Sequence, residues 1–195
     1  GGALSMPKNP SILSDQEMAA IAAQAHFHGM RVVAHALNDV DVQRATAAGR
    51  DVLAHTPTEL LSAKTLKAWS GRAVISTLAA FPDLAAPAEN VRRLRAGGAT
   101  VPYGTDMGYT TFPGINPQEI GLLRKAGLES RAILVAGTAI LAQFCGFGDD
   151  LGTLAAGHSA SLPILNADPE RNPLTLSRPL AVYLDGLLMD PTTAL

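Results

Sequence analysis

A single cysteine, Cys145, among 195 residues excludes an internal disulfide and any metal site built from a cysteine cluster. An excess of one charge sign is missing too. The 15 basic residues against 17 acidic ones leave a formal net charge of -2, which removes the electrostatic case for a nucleic-acid or membrane-surface partner. No apolar run is long enough to span a bilayer, and no basic segment followed by an apolar one marks a secretory signal. These absences leave a small molecule as the expected partner, and the cysteine usage fits a cytoplasmic setting. The first residue is Gly1 rather than methionine, which leaves room for an upstream signal or a whole domain. Gly97-Gly98 lies between a helix and a strand, the wrong order for a dinucleotide loop, which opens a helix. What is present is an apolar fraction of 47% with 16% charged residues, ample for one packed core or a core with an appendage.

Helix and strand signals alternate along most of the chain. Ser14-Asp15-Gln16-Glu17 has the form of a capping box and predicts a helix to about His28, with Met18, Ile21, Ala22 and Ala25 on one stripe and Gly29 as terminator. A strand over Arg31 to His35 follows. Asn38 caps a second helix to about Ala48, and Asp51 to His55 reads as the next strand. A third helix, about Thr58 to Trp69, leads to a strand over Ala73 to Leu78, and a fourth, about Pro87 to Ala96, leads to a strand ending near Asp106. Repeated helix-to-strand steps with short connections imply right-handed crossovers and a parallel sheet, so the class is α/β. Asn116-Pro117-Gln118-Glu119 opens a further helix, with an N-cap, a proline at the first position and an acid at the third; its place after the last strand suggests substrate contact. A helix from about Ser130 to Phe144 carries Ile133, Gly137, Ile140, Leu141 and Phe144 on one stripe. Beyond Gly152 the pattern changes to short strands, Leu162 to Leu165 and Leu180 to Leu184, with Asp185-Gly186 as a tight turn into Leu187 to Met189. Pro163 has no amide hydrogen to donate, so its strand is expected to be an edge or irregular.

Three of the barrel-type strands close on a residue able to do chemistry: His35, His55 and Asp106. In a parallel α/β barrel the active site lies at the carboxyl ends of the strands, where such residues converge. Two neutral imidazoles and a carboxylate suit Zn2+ or another divalent transition metal. Taken singly, each histidine is equally well a hydrogen-bonded structural residue. Core packing, however, gives no reason for the same placement on consecutive strands.

The strand ending in His35, the segment Ala48-Gly49-Arg50-Asp51, the strand ending in His55, Gly104-Thr105-Asp106, and Gly152-Thr153-Leu154-Ala155-Ala156-Gly157 together resemble the second half of the metal-dependent amidohydrolase superfamily, in its imidazolonepropionase-like and Xaa-Pro dipeptidase-like branch. The resemblance covers nearly the whole chain. It implies the second half of a (β/α)8 TIM-type barrel, with about four parallel strands, over residues 1–150. It further implies a small C-terminal β appendage, part of a composite β-sandwich, over residues 151–195. By the same resemblance His35 and His55 are metal ligands, and Asp106 is a ligand and the general base. The family also needs a His-x-His pair on the first barrel strand and commonly a carboxylated lysine on the fourth, and neither is in this chain. Gly1-Gly2 is similar to the family segment that directly follows the lysine strand. The strand Ala160 to Asn166 also departs from the family's more apolar pattern.

His26-Phe27-His28 is literally His-x-His, but its place in a helix sets the two rings about 200° apart around the axis. It is not the missing pair; His26 is expected to face solvent and His28 to be partly buried. Cys145 is expected to be a buried apolar side chain beside Phe144. Thr105 could orient a ligand, His158 reads as a surface residue, and Gly104 permits close backbone approach. The loops Thr56 to Glu59, Ala79 to Ala86 and Met107 to Ile115 give mild specificity hints through Phe81, Tyr109 and Phe112.

The chemistry implied is metal-assisted hydrolysis of an amide or cyclic-amide C–N bond in a small or peptide-like substrate. A zinc-class ion brings the pKa of water down to roughly 7, and Asp106 would take its proton and pass it to the leaving nitrogen. A complete barrel needs roughly 250 residues, so the chain is expected to be a fragment that needs the missing barrel half or a second copy, and to turn over weakly alone. The alternative is a non-catalytic α/β domain for ligand binding or assembly, with an open sheet and its ligand at the strand ends.

Overall fold

The computed structural model describes residues 13–108, 112 and 114–189. Gly1-Gly2 and Tyr109 lie outside the described residues. The first helix, α1 (Asp15–Phe27), opens on the expected capping box: the Ser14 hydroxyl accepts from the Glu17 amide while Glu17 accepts from the Ser14 amide at 2.7 Å. Its apolar stripe is less buried than its spacing suggests. Only Ala22 is buried, and Ile21 is exposed. The strands β1 (Val33–Ala34), β2 (Val52–Leu53) and β3 (Ala73–Val74) form a parallel sheet in chain order. Between them lie α2 (Asp39–Ala47), capped by Asn38, and α3 (Ala63–Ala68).

The third helix starts five residues later than the sequence suggests, at the Ser62 cap. Asn90, fully buried on α4 (Ala86–Ala96), explains the delay. Its amide nitrogen donates to the Pro57 and Glu59 carbonyls at 2.9 and 2.7 Å, and its oxygen accepts from the Leu61 amide at 3.0 Å. Those bonds hold residues 57–61 as a loop, because a buried backbone group satisfied from outside has no need of a helical partner.

The segment ending in Asp106 runs alongside β3 without forming a full strand. A parallel bridge joins Ala73 to Thr100, and the Val74 and Ser76 amides donate to the Thr100 and Pro102 carbonyls. Fully buried Val42, Leu53, Trp69, Val74, Leu94, Ile120 and Leu123 fill the space between sheet and helices. The Trp69 indole N–H reaches the Ala73 carbonyl at 3.1 Å, which satisfies its polar edge inside the core.

After α5 (Pro117–Lys125), the single helix expected over residues 130–144 is broken into α6 (Ser130–Gly137) and α7 (Ala139–Cys145) at Thr138. Cys145 is exposed, contrary to expectation, because α7 ends there on the left-handed Gly146. The tail forms a separate antiparallel sheet of β4 (Leu162–Ile164), β5 (Ala181–Leu184) and β6 (Leu187–Leu188). Pro163 lies on its edge strand, as the missing donor requires, and Asp185-Gly186 turns with positive φ at both positions. Between β4 and β5, Leu176 enters the main core and so anchors the tail to α5 and α6.

Candidate active site

His35 directly follows β1, and His55 lies two residues beyond β2. The parallel register Ala34↔Leu53 brings both to the carboxyl edge of the sheet. Their ring centroids are 5.0 Å apart with the planes at 77°. His35 is exposed, while the His55 side chain keeps only 18% of its surface. The Asp106 carboxylate lies 3.7 Å from His55 Nδ1, and the Thr77 hydroxyl lies 3.4 Å from the same nitrogen. The sequence placed these three side chains at one end of the sheet, and the fold sets His55 against His35 on one side and Asp106 on the other.

Two backbones at this edge are in the left-handed region, Thr77 at φ +42° and Asp106 at φ +53°. Aspartate tolerates that region, but a β-branched threonine does so at a cost of about 1–3 kcal/mol. Such strain persists only where surrounding contacts over-determine it.

Burial pushes the His55 pKa down, the Asp106 charge opposes this, and His35 adds to the fall, leaving it below 6.5. The neutral imidazole favoured in this way is the form that binds metals. Thr77 and the Asp106 carboxylate both face Nδ1, and a proton there would leave the Nε2 lone pair for a ligand. In kind, these donors fit a divalent metal. In number they fall short: among the described residues, no three His, Cys, Asp or Glu side chains are grouped closely enough to hold an ion.

At the start of α5 lies a set of contacts that the sequence did not reveal. Glu119, at the third position of α5, is fully buried, and its Oε2 accepts from the Ala79 amide at 2.6 Å. A glutamate in this position would ordinarily reach back to the N-cap amide. Here the Asn116 amide donates instead to the Tyr103 hydroxyl at 2.7 Å, which leaves Glu119 free to cross to the neighbouring turn. Burial raises the Tyr103 pKa to about 12 against the Asn116 amide's opposing pull, with Glu119 adding to the rise. The start of α5 is therefore a packed joint, and the substrate contact expected of it is not supported: Asn116 and Glu119 are both buried. The only sequence signal was an acid at a buried helical position.

The other candidates fall outside the site. His26 Nε2 lies 2.9 Å from Asp51, whose carboxylate also accepts from the Val32 amide at 2.6 Å, at the amino ends of the strands. His28, expected to be partly buried, is exposed and pairs with Gln24 at 2.9 Å. His158 is half-buried beside the Thr153 hydroxyl at 3.2 Å. Gly104 packs against the Ile75 side chain so closely that a Cβ would collide with it, which bears out the close-approach reading. Of the specificity hints, Phe81 is half-buried and Phe112 exposed.

The sequence matches the amidohydrolase family over residues 3–188. The chain belongs to the amidohydrolase family. Solved amidohydrolase-like structures share its fold. A Xaa-Pro dipeptidase with bound methionine is 22% identical at a TM-score of 0.80, over 95% of this chain and 50% of that one. A prolidase complexed with N-methylphosphonate-L-proline is 19% identical at 0.76, over 97% and 53%. The A. niger ochratoxinase is 20% identical at 0.74, over 96% and 48%. This amidohydrolase chain thus spans about half the length of the solved structures it matches. No curated protein matches it. Among the described residues, no helix is long and apolar enough to cross a membrane.

Proposed function

We propose that this chain contributes the last four strands of an eight-stranded barrel, over residues 1–150, and a β appendage over 151–195, to a metal-dependent hydrolase of amide or cyclic-amide C–N bonds. The carrying observation is the His35–His55 pair on adjacent strand ends with Asp106 against His55. His35 and His55 would hold a zinc-class divalent ion, together with ligands from the part of the barrel that closes the sheet or from a second copy. When bound, that ion acidifies water and polarises the scissile carbonyl.

Asp106 does the proton work. Its carboxylate takes the proton from the attacking water as the new C–O bond forms and gives it to the leaving nitrogen as the C–N bond breaks. The Thr77 hydroxyl keeps the His55 ring in one orientation throughout. Small amides and dipeptides are the substrate class in this reading, and two of the similar structures, a Xaa-Pro dipeptidase and a prolidase, make Xaa-Pro dipeptides the first to assay. A cytoplasmic setting belongs to the same reading and is supported by the single cysteine.

The test is hydrolysis of a panel of such amides with zinc present, comparing the parent protein with Asp106→Asn. Metal-dependent turnover, weak in the chain by itself, is expected to drop by roughly 10²–10⁴-fold in the variant. Equal turnover in both would remove Asp106 from the reaction.

A further inference from the structure

Glu119 is among the largest side chains fully buried in the core, and the reaction described above does not use it. It lies on α5, which packs against the turn after β3. One carboxyl oxygen accepts from the Ala79 amide. The other makes no hydrogen bond of normal geometry, although the Ser76 hydroxyl and the Leu78 amide lie close enough to favour the ionised form. These partners occupy a telling place. Leu78–Ala80 forms a single 3-10 turn whose N-cap, Thr77, supplies no side-chain hydrogen bond to cap it. Glu119 thus caps that turn from a different helix, in place of the residue that ordinarily would. The residue whose backbone it fixes is Thr77, held at φ +42° with its hydroxyl toward His55 Nδ1.

A second line runs from the same carboxyl group toward Asp106. The Ser76 hydroxyl accepts from the Gly104 amide at 3.2 Å, and Gly104 is two residues before Asp106. Thr56, three residues beyond β2, reinforces this stretch by donating to the Ser76 carbonyl at 2.6 Å. Ser76 is among the groups that act on the Glu119 carboxyl group, so a protonated Glu119 would have an acceptor to turn toward while still accepting from Ala79. Burial pushes the Glu119 pKa up, against the pull of Ser76 and of the Ala79 and Leu78 amides, in the direction that keeps this proton in place.

We propose that Glu119 is a positioning residue: from α5 it ties the turn after β3 to the segment ending in Asp106, and so sets how Thr77 and Asp106 meet His55. Its consequence for hydrolysis rests on the function proposed above; its consequence for the His55 ring does not. The experiment reads the two separately. Nitrogen-15 NMR of the imidazole in mildly alkaline buffer, where the ring is neutral, reports which nitrogen of His55 carries the proton. The parent protein is expected to show the proton on Nδ1.

Glu119→Gln keeps an acceptor for Ala79 and a donor for Ser76 and should preserve that signature. Glu119→Leu keeps the bulk but neither polar link, and the signal should relax toward the Nε2–H form while the protein stays folded. Should the leucine variant fail to fold, Glu119→Asp, one methylene short of the Ala79 amide, replaces it with the same expected change. In the hydrolysis assay the leucine or aspartate variant should lose roughly 10- to 100-fold in turnover, with the glutamine variant near the parent. A folded leucine or aspartate variant with the parent signature, or a glutamine variant that loses it, would overturn the proposal. If no variant and no parent sample hydrolyses any amide while the NMR pattern holds, the proposed function fails and the positioning role stands.

Discussion

Glu119 is subject to opposing demands that make its titration visible in stability. Its pKa is raised from 4.5 by burial, against the pull of Ser76 and the Ala79 and Leu78 amides. A carboxyl group with a folded pKa above its unfolded one is neutral in both states at low pH, so its full contribution to stability is present below 4.5. As pH rises through the folded value, the unfolded chain has already released the proton and the folded one must do so inside the core, so stability is lost. Glu119→Gln has no proton to lose. Denaturant unfolding from mildly acidic to mildly alkaline buffer should therefore show the parent losing stability relative to this variant as pH rises; a constant difference between the two would contradict the buried-acid reading. The residues that sequence does and does not reveal divide along a physical line. The positions of His35 and His55 just beyond β1 and β2 were legible because local periodicity marks those strands, whereas Asp106 closes a segment that pairs without becoming a strand. Glu119 was not legible, because an acid in the first turn of a helix normally serves that helix's own amides. Its redirection depends on Tyr103, thirteen residues before Asn116, taking the cap amide.

Three helix starts were legible from their caps. Ser14, Asn38 and Asn116 each accept from an amide in the first turn of the helix that follows. Two boundaries were set from a distance and could not be read. Asn90 holds residues 57–61 out of α3 from another helix. The break between α6 and α7 interrupts an apolar stripe that runs on unbroken in sequence. At that break the Thr138 hydroxyl donates to the Leu134 carbonyl at 2.7 Å, the kind of back-bonding that bends a helix. Gly152, at φ +89°, fits into the crook, where an added Cβ would lie 2.9 Å from both the Thr138 carbonyl oxygen and the Ala139 Cα. Neither backbone atom can move aside without shifting a helix end. Gly152→Ala should therefore destabilise the protein by about 1–3 kcal/mol, read as a lower denaturation midpoint. An unchanged midpoint would mean that the α6–α7 joint is not fixed by this contact.

At the scale of the molecule, the sheet has β1 at one edge, with Val33 51% exposed, and the tail sheet presents Leu180, Leu184, Leu187 and Leu188 to solvent. The α/β class, the parallel order and the antiparallel tail were legible from alternation alone. The extent of the strands was not, since each parallel strand is two residues long and the Thr100–Pro102 segment pairs without becoming a strand. Exposed apolar surface and a sheet edge of this kind favour association. Gel filtration across a range of concentrations is expected to show the chain associating, and a sharp monomer peak with cooperative thermal unfolding would count against the need for a closing partner. The central claim is that His35 and His55 form the metal-binding part of a hydrolytic centre. It is tested most directly by elemental analysis of the purified chain, loaded with zinc and then dialysed, beside His35→Ala and His55→Ala. The account predicts zinc retained by the parent once a second copy or the closing part of the barrel supplies the remaining ligands, and lost from both variants. Zinc retained equally by the parent and both variants would contradict it.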